Sequence, residues 1–142
     1  MKTHSVTPDT IQKKWLLVDG NGKTLGRLIT RVAGLLIGKH KVIFSPHMDV
    51  GDHVILINAD KIRVTGKKPT QKFYHHFSGY PGGLTSISYA KLFARSPEKV
   101  IEIAVRGMLP NNKLRERRLK KLKIYKGGDH PHQAQRPEPI DL

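Results

Sequence analysis

Leu25, Leu28, Ile29, Val32, Leu35 and Leu36 recur at three- and four-residue spacing, so they line one face of a helix. The run WLLVD at 15–19 stands just before them, separated by the turn-forming GNGK at 20–23. A short continuous apolar run of this kind predicts a buried strand. Thr24 is placed to cap the helix at its start, and Gly38 to end it. Arg27 and Arg31, four apart, take the opposite face. Strand, turn and helix at this spacing open a βαβ unit. A second apolar run, HVILINA at 53–59, predicts another strand, covered by helices on both faces.

Ile62 and Val64 alternate with Lys61 and Arg63, which predicts a short strand after a turn at Ala59–Asp60. The stretch GKKPTQKFYHHFSGYPGG at 66–83 is rich in turn residues, aromatics and cations; a strand is expected near 72–77, then a loop. A short helix is expected over 86–95, capped by Ser86 or Ser88. Ser96–Pro97 starts the next, since proline is favoured at the first helical position. Val100, Ile101, Ile103, Ala104 and Met108 give that helix its apolar face, and Gly107 and Pro110 interrupt it. Asn111 or Asn112 caps a third helix running to Lys121, and LKIY at 122–125 reads as the last strand. The chain thus divides into an N-terminal arm at 1–14, a body at 15–126 and a Gly/Pro-rich tail at 127–142. The tail carries too little apolar surface to offset its ordering entropy, and it is expected to be mobile in the free protein.

A chain of 142 residues has the length of one domain. Its 26 Lys or Arg against 11 Asp or Glu leave a net charge of +15. That balance calls for a polyanionic partner, nucleic acid before an anionic membrane. No apolar run of about 20 residues is present to cross a bilayer, and the N-terminus lacks the apolar core of a secretory signal. The absence of Cys excludes disulfides, thiolate zinc sites and a cysteine nucleophile, and fits a cytoplasmic protein.

Three patterns imitate catalytic or ligand sites and fail on spacing. GNGKTLG suggests a phosphate-binding loop, but the required glycine five positions before Gly22 is Leu17. The dinucleotide fingerprint fails too, because position 25 is Leu and Gly26 comes one place late. Eight His residues suggest a metal, yet His75 and His76 are adjacent and diverge, and His130 and His132 flank a proline; no ligand spacing occurs. Asp49 and Asp52 are close, but they lie in the turn-like PHMDVGD, where carboxylates fix turns. No metal, no cofactor, no small-molecule substrate and no enzymatic activity are expected.

The segment 99–126, KVIEIAVRGMLPNNKLRERRLKKLKIYK, holds ten Lys or Arg against two Glu, more than half of the chain's net charge. With so few opposite charges, salt bridges one helical turn apart are scarce, and the cationic face is aimed at phosphates. Arg106, Lys113, Arg115, Arg117, Arg118, Lys120, Lys121 and Lys123 are the first candidates for RNA contact. Lys39, Lys41, Lys67, Lys68 and Lys72 follow, and Tyr74, His75 and His76 are candidates for stacking on unpaired bases.

The motifs also resemble a known family. GKTLGRL at 22–28, GKHK at 38–41, PHMDVGD at 46–52, NADKI at 58–62 and TGKK at 65–68 run in order. KFYHHFSGYPGG at 72–83, RSPEKVIEIAVRGMLP at 95–110, LKKLKIYKG at 119–127 and HPHQAQ at 130–135 continue them. Together they resemble the bacterial form of the thirteenth large-subunit ribosomal protein. The resemblance implies a three-layer α/β/α single domain around a mainly parallel four-stranded sheet. It implies a structural constituent of the large ribosomal subunit that binds large-subunit ribosomal RNA, touches neighbouring ribosomal proteins and supports early assembly. A free regulator binding messenger RNA outside the ribosome is the alternative.

Overall fold

The computed structural model describes residues 3–142. Strand β1 (Trp15–Asp19) and helix α1 (Leu25–Ile37) form where their apolar spacing predicts. Thr24 precedes α1 in extended backbone but makes no side-chain cap. Neighbouring chain holds the turn instead: Leu25 N–H donates to Arg63 O at 2.8 Å, and Arg63 N–H to Lys23 O at 3.0 Å. The strand expected around Ile62 and Val64 is therefore only a single parallel bridge, Thr24 to Arg63. Its alternation records Ile62 turning into the core, not a ladder.

Helix α1 ends at Gly38, in left-handed backbone with φ of 91°. Gly51 answers it from the other side. A Cβ on Gly51 would stand 1.7 Å from Leu36 O, so the last turn of α1 lies directly on the backbone leading into β2 (His53–Ile57). Only glycine permits that approach.

The main sheet has the order β5 (Leu122–Ile124), β2, β1, β6 (Glu138–Ile140), and every pair is parallel. Val18, Val54 and Leu56 bury one face against Leu28, Ile29, Val32 and Leu36 of α1 and Val100, Ile101 and Val105 of α4 (Pro97–Met108). The crossovers from β1 to β2 and from β2 to β5 step the same way across the sheet. With the usual right-handed connection, both place their helices on this face.

The opposite face is covered differently. Trp15 stacks on His53 at 4.3 Å and on His132 at 5.3 Å. The Tyr125 hydroxyl lies 2.6 Å from His132 Nε2, and Asn58 N–H donates to Gly127 O at 2.9 Å. Chain after β5, with one 3-10 turn at Gln133–Gln135, thus forms the layer where a helix was expected. Val54, Ile55 and Leu56 are completely buried between the two covers.

The tail therefore returns to the body. Residues 138–140 pair with the free edge of β1, Leu16 opposite Glu138 and Val18 opposite Ile140. Counting apolar residues missed this, because backbone hydrogen bonds and imidazole stacking hold the segment, not a large apolar face.

A second, two-stranded sheet stands apart from the first. β3 (Phe73–Phe77) pairs antiparallel with β4 (Leu84–Ser88), so the loop expected after 77 is only the hairpin tip. Ser88 Oγ accepts from Lys91 N–H at 3.4 Å and starts α3 (Tyr89–Arg95), three residues later than expected. A four-residue turn, α2 (Lys68–Gln71), leads into the hairpin. Asn112 Oδ1 accepts from Leu114 N–H at 3.1 Å before α5 (Leu114–Lys120). Among the described residues no helix is long and apolar enough to cross a membrane.

Candidate nucleic-acid interface

The cations singled out by charge density do not all reach the surface. Arg118, on the inner side of α5, is 1% exposed, and its Nε finds no acceptor among the described residues. Lys121 is 5% exposed and donates to Asp49 Oδ1 at 2.6 Å, Gly51 O at 3.0 Å and Leu36 O at 3.3 Å. Burial pushes the Lys121 ammonium below its ordinary pKa, against the pull of Asp49. Neither side chain is available to a phosphate. Lys41 is similarly committed: it pairs with Asp52 at 2.5 Å and donates to Gln12 O and Val50 O.

Asp52 organises this end of the fold. It is 1% exposed and also accepts from Lys14 N–H at 2.9 Å and meets His40 Nε2 at 2.7 Å. Burial alone would raise its carboxyl pKa, but these hydrogen bonds and Lys41 outweigh it and hold it below the usual range. Asp49 behaves the same way, burial being overcome by Lys121 and Lys13. The sequence suggested carboxylates that fix their own turn; both instead hold partners 11 to 72 positions away.

The remaining candidates are more open. Lys113, just before α5, and Arg117 and Lys120 on it are exposed, and Lys123 is half-buried in β5. Arg115 turns back along the chain, its Nε donating to Pro110 O at 3.3 Å and its Nη2 to Leu109 O at 3.4 Å. It thereby serves carbonyls at and just beyond the end of α4, where a cation is favoured. Arg106 pairs with Glu116 at 2.7 Å, an exposed and easily exchanged contact. Lys39 is exposed beyond the C-terminus of α1, whereas Lys68 and Lys72 line a cavity of about 460 Å³ at its N-terminus with Arg27. Lys39 therefore stands at the opposite end of α1 from Lys68 and Lys72, roughly 20 Å away along the helix. Lys67 is exposed beside Lys68, and Lys72 Nζ lies 5.4 Å from the Tyr74 ring centre.

The three stacking candidates separate as well. Tyr74 turns inward against the core, and burial raises its hydroxyl pKa. His75 and His76 are exposed on opposite faces of the hairpin, with His75 Nδ1 held 2.7 Å from Ser86 Oγ.

A profile described as "Ribosomal protein L13" matches residues 13–131. The chain belongs to the ribosomal protein L13 family. It is 52% identical over 141 residues to the large ribosomal subunit protein uL13 of Symbiobacterium thermophilum, covering 99% of each chain. Against the uL13 proteins of Pseudomonas paraeruginosa and Coxiella burnetii, identity is 52% and 54%, with 100% of both chains covered.

In this L13-family chain, sequence reasoning took Lys67, Lys68, Lys72, Tyr74, His75 and His76 from a longer basic stretch whose extent it did not mark. From Lys61 to Pro97 there are seven cations, Lys61, Arg63, Lys67, Lys68, Lys72, Lys91 and Arg95, and no Asp or Glu. A count of signs along the sequence marks the stretch, although its charge density is lower than that of 99–126. Phe73 and Phe77, both exposed in this stretch, were also passed over in favour of the residues between them.

Proposed function

We propose that this chain is a structural constituent of the large ribosomal subunit, anchored by large-subunit ribosomal RNA and acting early in its assembly. Full-length correspondence to proteins named as large-subunit components carries the reading. It is a structural protein, not an enzyme, as the family implies. The open cations supply the means: Lys113, Arg117 and Lys120 at α5 with Arg106 on α4, the half-buried Lys123 of β5, Lys39 at one end of α1, and Lys67, Lys68 and Lys72 at the other. Phosphate contacts of this kind position a protein on RNA without reading sequence. Lys121 and Lys41 hold the fold that presents them. Neighbouring ribosomal proteins complete its surroundings, and the site of action is the cytoplasmic ribosome.

Co-sedimentation tests this. The protein is expected to track the large subunit one-to-one and to stay bound at salt that strips loosely held proteins. Recovery only in the soluble fraction, attached to messenger RNA, would favour a free regulator instead.

A further inference from the structure

Five of the eight large hydrophobic residues exposed among the described residues lie on the β3–β4 hairpin. Phe73 is 51% exposed, Phe77 63%, Leu84 62% and Tyr80, at the tip, 75%. Strand alternation sorts them. Phe73, His75 and Phe77 share one face with Ser88, Ser86 and Leu84 opposite, while Tyr74 and Ile87 take the other, with Tyr74 packed on the core. The rings of Phe73 and His75 lie 6.5 Å apart and within 21° of parallel. Ser86 fixes the His75 ring from the partner strand at 2.7 Å. The tip is closed by Ser78 N–H donating to Gly83 O at 3.1 Å and Gly83 N–H to Tyr80 O at 3.0 Å, so the ribbon is preformed.

A row of exposed rings on a short sheet suits two occupants, an apolar protein surface or unpaired nucleotides. The electrostatics decide between them. The hairpin sits inside the 37-residue stretch 61–97, which carries seven cations and no carboxylate. Lys67, Lys68 and Lys72 lead directly into β3, and Lys91 and Arg95 follow β4 on α3. Apolar rings bordered by cations that form no salt bridge among the described residues match a ligand that is flat and apolar in its bases and anionic along its backbone.

We propose that Phe73, His75 and Phe77 form a stacking platform for unpaired ribosomal RNA nucleotides, with Lys67, Lys68 and Lys72 taking the adjoining phosphates. The inference rests on the ribosomal reading above and names the part of the RNA that this face takes: a single-stranded loop or bulge, not a duplex. Stacking on rings releases no counterions. Its contribution to affinity is therefore independent of salt, unlike that of the lysines.

The test uses the full chain, a large-subunit RNA fragment and binding titrations across a range of salt. Phe73→Ala with Phe77→Ala is expected to weaken binding roughly ten-fold or more while leaving the slope of log K against log salt unchanged. Phe73→Tyr with Phe77→Tyr should restore affinity, and both double variants should keep the parent's melting temperature because these rings lie outside the core. Parent-like affinity in the alanine variant overturns the platform, as does a loss accompanied by a reduced slope. Unchanged RNA affinity with poorer recruitment of a neighbouring ribosomal protein would assign the face to protein and also overturn it. A parent chain that shows no steep salt dependence would instead defeat the ribosomal RNA reading itself.

Discussion

Lys121 Nζ lies 2.6 Å from Asp49 Oδ1, although the two residues are 72 positions apart. The same ammonium holds Leu36 O and Gly51 O, so one side chain ties the end of α1, the approach to β2 and the start of β5. Lys121→Ala should lower unfolding free energy by about 2–4 kcal/mol, because it strands a largely buried carboxylate and two carbonyls. The salt slope of RNA binding should not change. Urea denaturation and salt titration measure the two effects; undiminished stability with weaker RNA binding would return Lys121 to the interface.

Arg118 is expected to behave in the opposite way. Its Nε is buried without an acceptor, and a buried unpaired cation is costly. Arg118→Met, similar in length and apolar, should leave stability equal or higher and RNA affinity unaltered. Lys113→Ala with Lys120→Ala should instead reduce the salt slope by about two while leaving the denaturation midpoint in place. If Arg118→Met lowers the slope like the exposed pair, the burial assignment fails.

Gly51 tolerates no side chain. A Cβ there would meet Leu36 O at 1.7 Å and Leu36 C at 2.4 Å, both backbone atoms that cannot swing aside. Gly51→Ala should cost about 3 kcal/mol or more through displacement of α1. Gly107→Ala, whose Cβ would meet no neighbour within 4 Å, is the control expected to be neutral or stabilising. Equal melting temperatures for the two variants would refute the packing argument.

Acid should weaken the fold in two stages. His53 is held below its ordinary pKa of 6.5, first by burial and then by the nearby charges of Lys121 and Lys13. The unfolded chain therefore takes up this proton more readily. The contribution of His53 is complete above about pH 6.5 and is lost as pH falls through its lowered folded value. Asp49 and Asp52, held below 3.8, contribute fully above that value and are lost beneath it. His53→Phe keeps a ring against Trp15 and should remove the first stage only. Denaturation midpoints from pH 7.5 to 3 check this; identical pH profiles for parent and variant between 7 and 5 would contradict it.

The C-terminal strand should matter to the free protein. Removing 137–142 opens the edge of β1, breaks the Lys23–Asp141 pair and withdraws Leu142 from the core. The melting temperature should drop by roughly 5 °C or more, with faster amide exchange in β1. An unchanged melting temperature would mean that the tail merely rests on the sheet.

What could be read without coordinates follows from the range of the interactions. β1, α1 and α4 are legible because Leu25, Leu28, Ile29 and Val32, or Val100, Ile101 and Val105, report their buried side through local spacing. β6 is not, because Glu138, Pro139 and Ile140 enter the sheet through backbone pairing. β4 was hidden for a similar reason: Leu84 and Ile87 pack on no core, so LTSIS shows no alternation of buried and exposed residues. The interface was legible in kind and charge but not in membership. Arg118 and Lys121 have the composition of surface residues, and the groups that draw Lys121 inward lie 70 to 85 positions away. Tyr74 points inward and Phe73 outward because of register, which composition does not encode.

The order β5-β2-β1-β6 places the first strand to be synthesised beside the last. While the nascent chain emerges, β1 can acquire β2 and then β5 on one side, but its other edge stays open until residues 138–140 follow. An unpaired edge of this kind invites association with another chain. The sheet is therefore complete only once residues 138–140 have emerged, and the interval before that is when a half-made copy of this protein is most exposed to a wrong partner.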